Sequence, residues 1–300
     1  MSEVKQDLHI NTKAEMPGGT FSDVHISGQG VINGDLTCEH LKVSGSGRLN
    51  GNVKTSEMKV SGKVDLEETL VSQVLKVSGS FKSKGSIHCQ EELKVSGQLK
   101  NSQHIAAQNL KVSGKLSTEG SVEVTDGHIS GVYRSETLTV KQGKISGIAT
   151  INKSLSAHEL TVSGHLTVGD SIEAEQLKVT GRLNCEGFIN SEKVELEGNS
   201  KSTFNEIGAS EVKIIRYYHG HPINSVFSSM INGLSEMFGS SYKVSGNLIE
   251  ADSVYVESAN IKKISGHDVV IGPNCIIDEV DYTGTLSVDK ESLVKQSSMR

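Results

Sequence analysis

The sequence has no tryptophan, and only six phenylalanines, six tyrosines and three prolines among 300 residues. So few bulky rings argue against a broad globular core packed around aromatics. So few prolines leave most of the chain free to pair through its backbone. The four cysteines, Cys38, Cys89, Cys185 and Cys275, lie far apart, with no C-x-x-C and no histidine at metal-ligand spacing. That argues against a disulfide framework or a zinc site and points to a reducing compartment. No 18-residue apolar run exists, and Met1 to Leu8 lack the apolar segment of a signal peptide. The expectation is a soluble, cytoplasmic chain with nothing spanning a membrane. A net charge of −6 argues against a general nucleic-acid binder, because phosphate contacts need a basic surface. No Ser-His-Asp set, P-loop or G-x-G-x-x-G stands out, so the sequence nominates no catalytic residue, cofactor or metal ligand.

What is present is glycine, 31 residues of it, and a phrase that repeats. Leu-Lys-Val-Ser-Gly occurs at 41–45, 75–79, 93–97 and 110–114, with variants ending at Gly28, Gly62, Gly131, Gly147, Gly164, Gly181, Gly198, Gly246, Gly266 and Gly284. From Gly28 to Gly198 the intervals are 16 to 18 residues and average 17. So tight a period marks a stacked, quasi-one-dimensional repeat.

The grammar within the repeat decides the fold class. Two and four residues before most of these glycines stand apolar side chains, such as Leu41 and Val43 or Leu93 and Val95. Eight residues after it comes another apolar column, running Leu36, Val53, Leu70, Ile87, Ile105 and Val122. A further apolar site falls two or four residues after the glycine, as at Leu49, Val64, Leu99 and Leu116. These runs alternate with period 2, not 3.6. Three short strands per unit describe one turn of a three-sided parallel β-helix (β-solenoid) of about 17 residues, an all-β fold. The repeated glycine implies a corner that needs either positive φ or close backbone approach. Gly34, Gly51, Gly85, Gly120 and Gly187 suggest a second one.

Taken in order, residues 1–20 read as a flexible N-terminal tail and 21–216 as β-helix. Residues 217–241 are foreign to the repeat. Ile223, Val226, Phe227, Met230, Ile231, Leu234, Met237 and Phe238 trace one helical face, with Pro222 near its start and Gly239 as its stop. This predicts an amphipathic helical insertion. The grammar resumes over 242–288, and 289–300 read as a second flexible tail.

Gly18-Gly-Thr-Phe-Ser-Asp-Val-His-Ile-Ser-Gly28, then Gly30-Val-Ile-Asn-Gly-Asp-Leu36 and the iterated Leu-Lys-Val-Ser-Gly, resemble the bactofilins, bacterial polymer-forming cytoskeletal proteins, in the longer form of Bacillus relatives. The resemblance covers roughly 18–198 and, more weakly, 242–288. It implies a right-handed triangular β-helix that polymerises end to end without nucleotide. It also implies a self-associating partner, homopolymer or related bactofilin, and a role in cell shape, envelope organisation or motility at the inner face of the membrane. The chain departs from the family in its helical insertion and in lacking the short apolar N-terminal membrane peptide.

The residues themselves raise the same possibility, since a solenoid's ends are rows of unpaired N–H and C=O groups over apolar core. The first expected turn offers Phe21, Val24 and Ile26 as one polymer interface, and the last offers Val280, Tyr282, Leu286 and Val288 as the other. An alternative is that the tails fold over the ends. Lysines three before the glycine, including Lys42, Lys59, Lys76, Lys94, Lys111, Lys144, Lys178, Lys243 and Lys263, form an outward ladder, with Glu57, Glu92 and Glu159 on the same face. Two readings stand for it: a track for an anionic surface, or a solvated face that prevents aggregation. The inserted helix, with its uncharged serine-rich polar side, either lies in a membrane interface or binds a partner, or packs back on the solenoid. A non-polymerising scaffold binding a membrane or partner protein through this helix is the alternative function, and a β-helix enzyme such as an acyltransferase the third. His219 and His221 have no companion ligand nearby. Ile271-Gly-Pro-Asn-Cys-Ile276 resembles one hexapeptide of the left-handed β-helix acyltransferases, in a single copy.

Overall fold

A computed structural model of the chain describes residues 6–197, 200–216 and 243–300. These residues form strands and no helix. The predicted helix of Ile223 to Phe238 lies outside the described residues, as do His219 and His221. The chain divides into two compact units, Met1–Ala174 and Glu175–Arg300. Both are parallel β-solenoids, and together they hold about 16 turns of about 17 residues.

One turn of the first unit explains the rest. After Gly45 the chain makes three pairing segments. Ser46 to Leu49 pair with Lys63 to Leu66, Val53 to Thr55 with Leu70 to Ser72, and Glu57 to Val60 with Val74 to Val77. Gly47, Leu49, Gly51, Val53, Thr55, Met58 and Val60 are buried and the residues between them are not, so the alternation is that of strands. It slips once, at Ser56 and Glu57, where two successive side chains face outward and the chain turns a corner. Each column expected from the sequence is buried, and each fully buried aliphatic contributes about 1.5–3 kcal/mol. The shortened repeat keeps its column because Leu138, not Thr139, pairs with Val122.

The corner glycines are required by close approach. A Cβ on Gly45, Gly62, Gly79, Gly97, Gly114, Gly131, Gly147 or Gly164 would fall within 3.0 Å of the carbonyl oxygen of the corner glycine one turn earlier. Among the described glycines only Gly34, in the second glycine column, has positive φ, at 101°. A column invisible to an apolar pattern lies ten residues after each corner: Cys38, Thr55, Ser72, Cys89 and Ala107 are all buried. A second polar intrusion runs through Ser83, Asn101, Thr118 and Ser135, also buried. There the Asn101 amide donates to the Gly85 carbonyl at 2.7 Å, and the Thr118 hydroxyl donates to the Gln103 carbonyl at 2.7 Å. Thr55, Ser83, Asn101 and Thr118 are tolerated inside because corner backbone partners them, whereas the buried Ser135 hydroxyl has no such partner.

In the second unit the strands are longer and the period looser. Phe188 pairs with Glu206, Val244 with Ala259, and Asn260 with Ile276, steps of 18, 15 and 16 residues. Ile207, however, pairs with Ile249, 42 residues on. The excess is confined to one corner. Val256 reaches Ala259 through Glu257 and Ser258 alone, whereas the equivalent Ile214 and Val244 are joined through residues 215–243.

Both expected tails differ from the structure. Leu8–Ile10 pairs with Asp23–Ile26, and Lys13–Thr20 pairs along Gln29–Val43, so 8–20 form a solenoid turn and not a flexible tail. Leu293–Met299 pairs with Ile276–Tyr282, so most of 289–300 is likewise strand.

Candidate functional site

The ends of a solenoid follow from its ladders: the last strand on each side has one neighbour instead of two. At the C-terminal end, Leu286–Val288 pairs with Val269 to Ile271, and Leu293–Met299 with Ile276 to Tyr282; neither pairs with a further strand among the described residues. Leu286, Val288 and Val294 occupy the inward positions directly over Val269, Ile271 and Ile277. The residues beneath are buried, but Leu286 and Val294 are half-buried and Val288 is 42% exposed. This end therefore presents apolar side chains beside unpaired backbone edges. Of the four residues nominated here, Leu286 and Val288 lie on this face. Val280 is buried under Ser297, and Tyr282 is half-buried and paired with Met299, because the chain adds one more strand than its apolar pattern announces.

At the N-terminal end the nomination moves by a whole turn. Val24 and Ile26 are buried beneath Leu8 and Ile10, and Phe21 is half-buried with its amide donating to the Thr37 carbonyl at 2.8 Å. Among the described residues the outermost turn carries Leu8, Ile10, Ala14 and Met16 at inward positions; the first two are buried and the others half-buried.

The final strand is anchored by charge. The buried Asp281 carboxylate accepts the Ser298 hydroxyl at 2.5 Å, pairs with Lys263 at 2.9 Å, and pairs with Arg300. The Ser298 hydroxyl and then the Lys263 ammonium hold its carboxyl down at about 2. Lys295 adds an ion pair to Asp278 at 2.7 Å.

The cationic ladder is in register: Lys42, Lys59, Lys76, Lys94, Lys111, His128 and Lys144 are successive partners. His9 and His25 continue it to the N-terminal edge, with ring centroids 6.2 Å apart. Part of the charge is neutralised beside it. Glu57 bonds Lys59 at 2.6 Å and Lys76 at 3.0 Å, and Glu92 bonds Lys111 at 2.8 Å. These lysines hold both carboxyls below their ordinary value. Glu159 makes no such pair among the described residues. Exposed pairs of this kind contribute about 0–1 kcal/mol each, so the ladder shapes the surface more than it stabilises the fold.

Among the described residues no three His, Cys, Asp or Glu side chains gather as a metal site, and no helix is long and apolar enough to cross a membrane. All four cysteines are buried and unbridged, and burial pushes the Cys89 and Cys185 thiols up to about 11. The stretch Ile271 to Ile276 is a corner: the Ser258 amide donates to the Pro273 carbonyl at 3.0 Å, and Asn274 has a φ of 60°. The corner where 217–242 depart is held at both stubs. The Arg216 amide donates to Glu257 Oε2 at 3.0 Å, and the Lys243 carbonyl accepts the Ser202 amide at 2.7 Å. No protein-family model, curated protein or solved structure matches the chain.

Proposed function

We propose that this chain is a structural protein of bactofilin type, a right-handed three-sided β-helix that assembles end to end into filaments without nucleotide. The supporting observation is the C-terminal turn: Leu286, Val288 and Val294 lie over a fully packed column, beside strand edges that pair on one side only. A second copy adding the next turn satisfies both the backbone and the apolar surface, as in strand addition to a sheet edge. The repeat needs no aromatic core and no cofactor to extend, so assembly draws on the same columns that fold the monomer.

In this reading the assembled partner is the chain itself or a related solenoid, the compartment is the cytoplasm, and the segment 217–241 is an amphipathic helix that brings filaments to a membrane surface or an envelope partner. Negative-stain electron microscopy of the purified protein tests it. Filaments without added nucleotide, at low and high salt, support the proposal; monomers alone under both conditions reject it.

A further inference from the structure

Two adjacent turns of the first unit break the repeat in several ways at once. Four residues before the corner, Leu41, Met58, Leu75, Leu93, Leu110 and Leu160 form one in-register column, interrupted only by Gly127 and Gly143. In the same turns the small-residue column Cys38, Thr55, Ser72, Cys89 and Ala107 switches to Val124 and Val140. The exchange is compensatory. A Cβ on Gly127 would lie 3.3 Å from a Val140 methyl and 3.6 Å from a Val124 methyl, so the valines back the glycines from inside. Outside, the two glycines floor a concavity of about 270 Å3. Asp126 and Glu159 stand on one wall, His128 and Lys144 on the other. Unlike Glu57 and Glu92, these four side chains make no ion pair among the described residues.

The same two turns carry the opposite feature just past their corners. Val132 and Ile148 pair with each other and are 43% and 54% exposed. The corresponding position is polar or charged in every other turn from Gln29 to His165. Arg134, exposed and two residues beyond Val132, has no ion pair among the described residues. A ridge of two branched side chains beside a free guanidinium thus lies near a hollow of glycine backbone beside two free carboxylates.

We propose that the Val132/Ile148 ridge of one copy seats in the Gly127/Gly143 hollow of a second copy, with Arg134 reaching Asp126 and Glu159. Shape and charge are matched, and the exposed apolar pair is removed from water. Because ridge and hollow are different surfaces of one copy, on either side of the Gly131 and Gly147 corners, the contact either closes reciprocally about a two-fold axis or runs head to tail from copy to copy. It joins solenoids side by side and is independent of end-to-end assembly.

Cysteine pairing tests it, since the native cysteines are buried. One preparation carries Ile148→Cys, another Gln142→Cys on the rim of the hollow, and the two are mixed and oxidised with diamide. The mixed disulfide is expected several-fold above that between Ile148→Cys and a control Lys54→Cys, and Arg134→Glu in the ridge copy should lower it. A yield no higher than the control overturns the proposal, whether or not filaments form. Mixed disulfide in a chain that forms no filaments upholds it and rejects only the end-to-end reading.

Discussion

Ser46 donates its amide to the Gly28 carbonyl at 2.9 Å, one turn below, and that same oxygen lies where a Cβ on Gly45 would have to be. The corner thus combines a ladder hydrogen bond with a steric ban, repeated turn after turn. Removing the ban's exception is costly because the obstacle is backbone and cannot rotate away.

Gly62→Ala should therefore destabilise the protein by about 1–3 kcal/mol or more, as overpacking does, seen as a lower denaturation midpoint at unchanged m-value. Gly208 makes the control: nothing lies within 4 Å of a Cβ placed there. Gly208→Ala should be neutral or stabilise by about 0.4–1 kcal/mol, through the unfolded chain.

Asn101 is fully buried, donates to the Gly85 carbonyl at 2.7 Å and accepts the Gln103 amide at 2.9 Å. Asn101→Ala leaves those backbone groups without partners in a dry interior and should cost about 1–3 kcal/mol, measured by urea unfolding. An equal midpoint for variant and wild type would show that the polar column contributes nothing.

Asp281 sets a pH dependence whose sign can be worked out. Its carboxyl, held at about 2 by Ser298 and then Lys263, titrates below its ordinary value of 3.8. The stabilisation is therefore complete above the unfolded value and is lost as pH falls toward 2. Asp281→Asn should lower the denaturation midpoint at pH 7, and the gap from wild type should close as pH drops to about 2.

The corner at 216–242 predicts a clean deletion. Ile214 and Val244 are equivalent to Val256 and Ala259, which are joined by two residues. Linking Ile215 directly to Lys243 restores that length, with Lys243 where Ser258 has a φ of 50°. The deleted chain should keep its β circular dichroism and unfold cooperatively, more stably still with Lys243→Gly. Loss of the β signal would mean that the removed segment is part of the solenoid.

The columns and corners were legible because Leu, Val and Gly recur where every turn has another above and below. The first turn was not, and the reason is physical. Gly28 must clear the Thr12 carbonyl, whereas Thr12 itself stands where later turns carry the corner glycine, so this turn lacks the marker of the repeat. The last strand hides because polar residues take positions that are apolar in the strand beneath, as Ser297 does over Val280. The Cys38–Thr55–Ser72–Cys89 column escaped because its small polar members carry no apolar signal. The hollow was readable as two glycines in a leucine column, but its backing by Val124 and Val140 depends on contacts across a corner.

End-to-end assembly is tested most directly by sedimentation velocity of the purified chain over rising concentration, beside a Leu286→Asp/Val288→Asp variant. Both residues lie on the final turn, so the folded columns beneath them are retained. The prediction is a wild-type sedimentation coefficient that climbs with concentration without nucleotide, and a variant that stays monomeric or associates far more weakly. Wild type and variant sedimenting alike as monomers at every concentration would contradict it.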